Sequence, residues 1–277
     1  MKILIVGGGP SDTWVIRGQQ LGAALGARVT ASPTAADWTW ADRVILVKRA
    51  GRIWGGTAHG TGVPILWDPI DFWQQPGENG YSAAEARAHL AQAIAAVGPV
   101  LTIGATAAMA AACGGAYLPH HSWAGLAPTP ARETVSLVAY QGSPRYLGRW
   151  APALAAACQA RGWRFVLNPP DVRAADLLVA FRDAPWDGWM CREWKSGVKL
   201  VNAVAAGRPI LTQPSAAARE FQPAGTILET QAELEAALDH WTDVGRRQAV
   251  VEQSLVRAPA FTVDAIAAQY ARILETT

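Results

Sequence analysis

Three stretches of the chain have the residue types and spacing to do chemistry. The first is Lys195-Ser196-Gly197-Val198-Lys199-Leu200-Val201-Asn202. A Lys-Ser-Gly turn that launches a helix presents backbone N–H groups and the positive end of the helix dipole to an anion, and Lys195 adds a point charge. Lys199 falls one turn further along the same side, with Asn202 at a helical spacing beyond it, so one helix can hold a diphosphate and an attached sugar. The plainer reading is a solvated lysine pair on an amphipathic helix. The second stretch is Leu66-Trp67-Asp68-Pro69-Ile70-Asp71. Carboxylates just beyond an apolar run suit proton abstraction from a hydroxyl, with Asp71 the expected base and Asp68 the second choice; the alternative is that one of them caps a turn. The third is Lys48-Arg49-Ala50-Gly51-Arg52-Ile53-Trp54, read through His59 as a mobile loop. It has three cations, no acid and an interleaved Trp, which suits a phosphate backbone and a stacked base.

Further candidates surround these. Arg145 and Arg149 follow Gly142-Ser143-Pro144 and are expected to neutralise a leaving diphosphate. His120 and His121 stand where two halves of the chain meet, so His120 is a candidate contact to a reacting sugar, against the reading of a satisfied linker histidine. Gly7-Gly8-Gly9-Pro10-Ser11-Asp12 lets a ligand approach the backbone at Gly8 and Gly9, but Asp12 takes the third glycine position of a dinucleotide fingerprint. There is no Asp-x-Asp and no paired-histidine spacing, so no metal site is expected.

The elements that must position these groups alternate. Apolar runs at 2–6, 28–31, 43–47, 64–67 and 100–103 read as strands. Helices are expected over 14–25, 82–97 and 105–112, the second opened by a capping box of Ser82 and Glu85. Residues 119–134 break every period and form the expected boundary. The pattern then restarts, with strands at 134–140, 164–167, 177–180 and 209–211 and helices at 152–161, 198–206, 232–241 and 263–274. Alternation of this kind predicts α/β domains with parallel sheets, in which ligands bind beyond the carboxyl ends of the strands. The expected division is a first Rossmann-like domain at 1–128, a second Rossmann-like domain at 132–260, and a terminal helix at 261–277.

Composition agrees with a folded two-domain chain. Of 277 residues, 51% are hydrophobic and 17% charged, against about 25% charged in an average soluble domain, so extended disorder is excluded. A net charge of +2 neither requires nor forbids a polyanionic partner. Three cysteines without a CxxC pair encode neither a disulfide framework nor a zinc ribbon. With no leader-like N-terminus, a cytoplasmic location is expected, that of the host if the protein is viral. Residues 88–131 lack Lys, Arg, Asp and Glu, but glycines and prolines interrupt them, which predicts buried elements and no membrane span. Of 13 tryptophans, Trp38, Trp40, Trp54, Trp73, Trp123, Trp186 and Trp189 fall in expected loops, as stacking platforms or core filler.

Asp176 to Ala180, Lys195 to Ala203 and Ala206-Gly207-Arg208-Pro209-Ile210 together resemble the nucleotide-sugar-binding domain of glycosyltransferases with the GT-B fold. There a Lys-Pro-Ser-like start opens a helix that ends in an Ala-Gly-x-Pro turn. Trp14 to Gly22 is similar to the first helix of the acceptor domain in such enzymes. The resemblance implies two tandem Rossmann-like domains, with a C-terminal helix crossing back to the first. It also implies transfer of a sugar from a nucleotide-diphosphate donor, with a UDP-sugar expected, to an acceptor hydroxyl, with no resident cofactor or metal. Lys195, Ser196, Gly197, Lys199, Asn202, Arg145, Arg149, Gly8 and Gly9 would hold the donor. Many retaining members carry two glutamates with seven residues between them, whereas here Val201 stands eight residues after Glu193 with Asn202 beside it, so Glu220 is the carboxylate offered to a ribose, against the reading of a surface helix glutamate. On the acceptor side Lys48, Arg49, Arg52, Trp54 and Arg17 suit a 5-hydroxymethylated pyrimidine in viral DNA, which would be flipped out of the duplex. An NAD(P)-dependent oxidoreductase using Gly7 to Asp12, and a non-catalytic nucleotide-sugar or nucleic-acid binding module, are the alternatives. The first lacks an acid at Ser32-Pro33, where NAD would need one.

Overall fold

Continuous apolar runs become strands buried on both faces in each half of the chain, as in Ile3–Val6 and Leu137–Tyr140, where every residue is buried. The computed structural model describes residues 1–9, 11–72, 80–222 and 224–277; Pro10 and Trp73 lie outside the described residues. The first half runs β1 (Ile3–Val6), a π-helical segment (Trp14–Gln20) continuing into α1 (Leu21–Ala24), β2 (Arg28–Thr30), α2 (Ala35–Trp40), β3 (Arg43–Val47), α3 (Ala50–His59), β4 (Ile65–Ile70), α4 (Ala83–Val97), β5 (Leu101–Gly104), α5 (Ala107–Cys113) and β6 (Ala116–Tyr117). Its strands form one parallel sheet in the order β2-β1-β3-β4-β5-β6.

The second half runs β7 (Leu137–Tyr140), α6 (Trp150–Ala160), β8 (Arg164–Leu167), β9 (Leu177–Ala180), α7 (Trp189–Trp194), α8 (Val198–Ala206), β10 (Ile210–Thr212), α9 (Ala216–Phe221), β11 (Gly225–Ile227), α10 (Leu234–His240), α11 (Val244–Arg257) and α12 (Val263–Glu275). Its sheet is again parallel, in the order β11-β10-β9-β7-β8. Both are doubly wound Rossmann-like sheets. The strand order turns back at β1/β3 in the first and at β7/β9 in the second, which is where such sheets open a crevice.

Each sheet carries an apolar layer on either face. Two of these layers tie the halves together. Ile266, Ala267, Tyr270 and Leu274 of α12 pack with Ile3, Ile5, Ile45 and Leu66 of the first sheet, so the C-terminal helix crosses back to the first domain. Met190 and Trp194 of α7 sit among Trp67, Phe72 and Leu90. The intervening segment is buried as well: Ser122 donates its N–H to the Phe261 carbonyl at 2.7 Å, and both ring nitrogens of His121 lie within 2.8 Å of carbonyl oxygens of Ile16 and Ser122. Among the described residues no helix is long and apolar enough to cross a membrane.

The expected mobile loop from Lys48 to His59 is instead helix α3 from Ala50 onward. Two of its three glycines serve close packing. A Cβ on Gly51 would lie 2.4 Å from Nε1 of Trp67, and one on Gly55 would lie 3.0 Å from the Val97 backbone. Trp54 is accordingly half-buried against the core, 6.2 Å from Trp38, and is not a stacking platform. Gly7 has the same explanation. A Cβ there, or on Gly18, would fall about 2 Å from the Trp14 ring, so the loop after β1 is glycine-rich at that point to seat an indole.

Candidate functional site

The two crevices face each other across one cleft of about 350 Å³. Ser11, Asp12 and Thr13 follow β1, Lys48 follows β3, Gly142 and Ser143 follow β7, Arg182 follows β9, and Lys195 to Lys199 lead into α8; all of them line it. The Lys-Ser-Gly turn is therefore an open wall, with no side chain capping the first turn of α8. Gly197 lets the turn pack directly on α9, since a Cβ there would meet the buried Phe221 ring at 2.2 Å. Gly142 has φ +130°, and a Cβ on it would press within 3.1 Å of Lys199 Nζ.

Two lysines on this wall have different surroundings. Lys199 Nζ lies 3.8 Å from the centre of the Tyr140 ring and has no carboxylate partner among the described residues. Burial, followed by the charges of Arg182 and Lys195, pushes its ammonium well below the usual lysine range. A cation held half-buried without a counter-ion is a ready partner for an anionic ligand. Lys195 pairs with Asp71, which also takes Lys48 at 3.0 Å, the Asp71 side chain being only 2% exposed. Burial lowers Lys195 to about 8 against the opposing pull of Asp71. Burial alone would raise Asp71, but Lys195 and Lys48 outweigh it and hold the carboxyl below its ordinary range. So strongly acidic a carboxylate is a poor proton acceptor, and with Ser196 Oγ also 3.4 Å away it is placed to orient the two lysines across the cleft.

Asp68 and Arg17 belong to the interior. Both side chains are fully buried, with Arg17 Nε 2.7 Å from Asp68. The same guanidinium donates to the Pro119 and Leu118 carbonyls at 2.7 and 2.8 Å. Neither is presented to a base or an acceptor. His120 is 2% exposed, its Nδ1 has no partner among the described residues, and burial followed by the charge of Arg17 holds it neutral.

The other expected donor contacts divide. Arg145 lines a neighbouring cavity, with its guanidinium 5.0 Å from the Tyr146 ring and 4.9 Å from that of Trp186. Arg149 is 73% exposed and pairs with Asp183 outside the cleft. Asn202 is buried and accepts from the Trp123 N–H at 2.9 Å, so it holds the interdomain segment and faces a third cavity. Glu220 caps the other domain, accepting from the Ala107 N–H at 2.6 Å, and Glu193 pairs with Arg219 at 3.2 Å. Gly8 and Gly9 form an exposed loop ahead of Ser11. Among the described residues no three His, Cys, Asp or Glu side chains gather as metal ligands. Arg182, Asp187 and Gln213 were not anticipated. Gln213 accepts from the Arg182 N–H at 2.7 Å and donates toward Asp187 at 3.3 Å, forming a polar floor beyond β9 and β10. The carboxyl-end rule applied to 177–180 points to Arg182; Asp187 and Gln213 carry no sequence signal.

No family model and no curated protein matches the chain. Solved structures do. An α,α-trehalose-phosphate synthase (UDP-forming) from Burkholderia vietnamiensis superposes at TM-score 0.68 and 8% identity, over 100% of both chains. A trehalose-6-phosphate structure from E. coli bound with UDP-2-fluoro glucose gives 0.65 at 10% identity, over 100% of this chain and 99% of that one. The spinosyn rhamnosyltransferase SpnG gives 0.54 at 16%, over 99% and 100%. Against the GtfA/B complex and TarM the chain spans 57% and 54% of the matched chains. At these identities the likeness is one of fold, and the fold is GT-B.

Proposed function

We propose that this chain transfers a sugar from a nucleotide-diphosphate donor to an acceptor hydroxyl. The observation that carries the reading is Lys199, a half-buried cation with no carboxylate partner, on the bare first turn of α8 in the cleft between two doubly wound sheets. A diphosphate there would accept from Lys199, Lys195 and backbone N–H groups, which would stabilise the charge that builds on a leaving diphosphate. Asp71 would hold Lys48 and Lys195 in place. A UDP-sugar is the proposed donor, supported by the UDP-2-fluoro glucose named for the E. coli structure of the same fold. The dinucleotide alternative has no matching observation, since the glycine at position 7 serves Trp14 packing; binding without turnover of the donor would favour a binding module.

The test is calorimetric titration with UDP and a UDP-sugar. Saturable binding is expected, weakening as pH rises through about 8, where Lys195 loses its charge. The sign follows from the ligand, since an anion favours the protonated lysine and its affinity falls once that proton leaves. Lys195→Met should bind more weakly and keep only the pH dependence that Lys199 supplies. Binding of NAD in place of any nucleotide-diphosphate sugar would overturn the reading.

A further inference from the structure

A second cavity, of about 470 Å³, adjoins the donor cleft and shares Lys48 and Tyr146 with it. Its wall carries four cations: Lys48, Arg49 and Arg52 around the start of α3, and Arg145 from the turn after β7. Among the described residues the one carboxylate on that wall, Asp71, is already shared between Lys48 and Lys195. Elsewhere exposed arginines find acids, as Arg28, Arg173 and Arg192 do. Among the described residues Arg49 and Arg52, both exposed, form no ion pair, and Arg145 donates to the Tyr146 hydroxyl, at 3.1 Å. Besides Pro69 the remaining lining is aromatic: Tyr146 and Trp186 are half-buried and offer ring faces, while Trp67 and Phe72 are buried behind the wall. Trp67 is fixed by its indole N–H to the Lys48 carbonyl at 2.9 Å, and Trp186 meets Tyr146 edge-on at 5.1 Å. Flat rings beside guanidinium forks suit a sugar or base face with a phosphate attached.

We propose that this second cavity is a phosphate-ester site for the acceptor, with Arg49 and Arg52 of one domain and Arg145 of the other closing on a single phosphate. The inference rests on the sugar-transfer reading, which makes the occupant of the chamber beside the donor an acceptor. An arginine replaced here forfeits charge-assisted hydrogen bonds to phosphate, which at a solvent-facing site costs about tenfold in affinity.

Inorganic phosphate, a hexose 6-phosphate, the unphosphorylated hexose and a duplex oligonucleotide carrying a 5-hydroxymethylated pyrimidine are titrated in turn, with UDP as a separate control. At least one phosphate ester is expected to bind about tenfold or more tightly than the neutral hexose. R145Q and the double variant R49Q/R52Q should each lose that advantage, the double variant keeping wild-type UDP affinity. Binding of the hexose phosphate with a shallow salt dependence identifies a monoester; steep salt dependence with the oligonucleotide identifies a diester backbone. Equal binding of neutral and phosphorylated probes, or wild-type affinity in both variants, overturns the phosphate site whatever UDP does. Failure of UDP to bind overturns the donor reading instead, so the two failures are told apart.

Discussion

Replacing Lys199 by methionine is expected to make the empty protein more stable and its donor binding about 10- to 100-fold weaker. Both halves come from one physical situation. Burial and two neighbouring cations already disfavour the Lys199 charge, so a side chain of similar length without the charge removes an unfavourable term from the free protein. The Tyr140 face, 3.8 Å from the ammonium, recovers part of that term at most, and it packs equally well on a thioether. In the complex the same substitution deletes a charge-assisted hydrogen bond to phosphate, for which about 1.5–3 kcal/mol is typical. A thermal midpoint that rises while UDP affinity falls is the signature of a residue kept for ligand and against stability. A lower midpoint with unchanged affinity would make Lys199 a structural residue and remove the main support for the donor site.

How much of this was legible in the sequence follows from the kind of signal each element carries. Strands at 43–47, 164–167 and 177–180 and the helix over 198–206 have the bounds expected of them, because each is a continuous apolar run or a clear helical period ended by turn residues. The helix opened by Ser82 shows its capping box, with Ser82 Oγ accepting from Glu85 N–H. The helices at 35–40, 189–194 and 216–221 had no such reading. They are six residues long, too short for a period to declare itself, and α7 is held by packing of Met190 and Trp194 on the other domain. Residues 50–59 misled because glycine signals mobility in isolation and close packing beside Trp67. The site divides similarly. Lys199 was legible because it falls in the first turn of α8, and Lys195 because the Lys-Ser-Gly turn leads into that helix, although its own backbone is extended. Asp68 and Asp71, three residues apart, have opposite fates that no spacing reveals: one neutralises a buried arginine, the other bridges two lysines across the cleft.

The largest loss of stability is expected at the first of those carboxylates' partner. Arg17 satisfies Asp68 and the Leu118 and Pro119 carbonyls at once, at 2.7 to 2.8 Å, beneath the crossover helix that buries Tyr270. Arg17→Leu strands Asp68 as a buried charge and leaves two carbonyls to find other donors, a change that typically costs about 3–5 kcal/mol, a large share of the usual 5–15 kcal/mol of a folded domain. Burial already raises the Asp68 carboxyl above its ordinary value even with Arg17 opposing it, and loss of the arginine raises it further. A carboxyl whose folded value exceeds its unfolded one binds its proton more readily when folded. The penalty is therefore absent at acid pH and grows as pH rises from the unfolded value through the folded one. Urea unfolding at pH 5 and pH 8 should show the Arg17→Leu deficit smaller at pH 5. In Arg17→Leu/Asp68→Leu most of the stability should return and the pH dependence should disappear, since an apolar pair replaces a buried ion pair at little cost. A deficit that is the same at both pH values and additive in the double variant would mean that Arg17 acts through its carbonyl contacts alone.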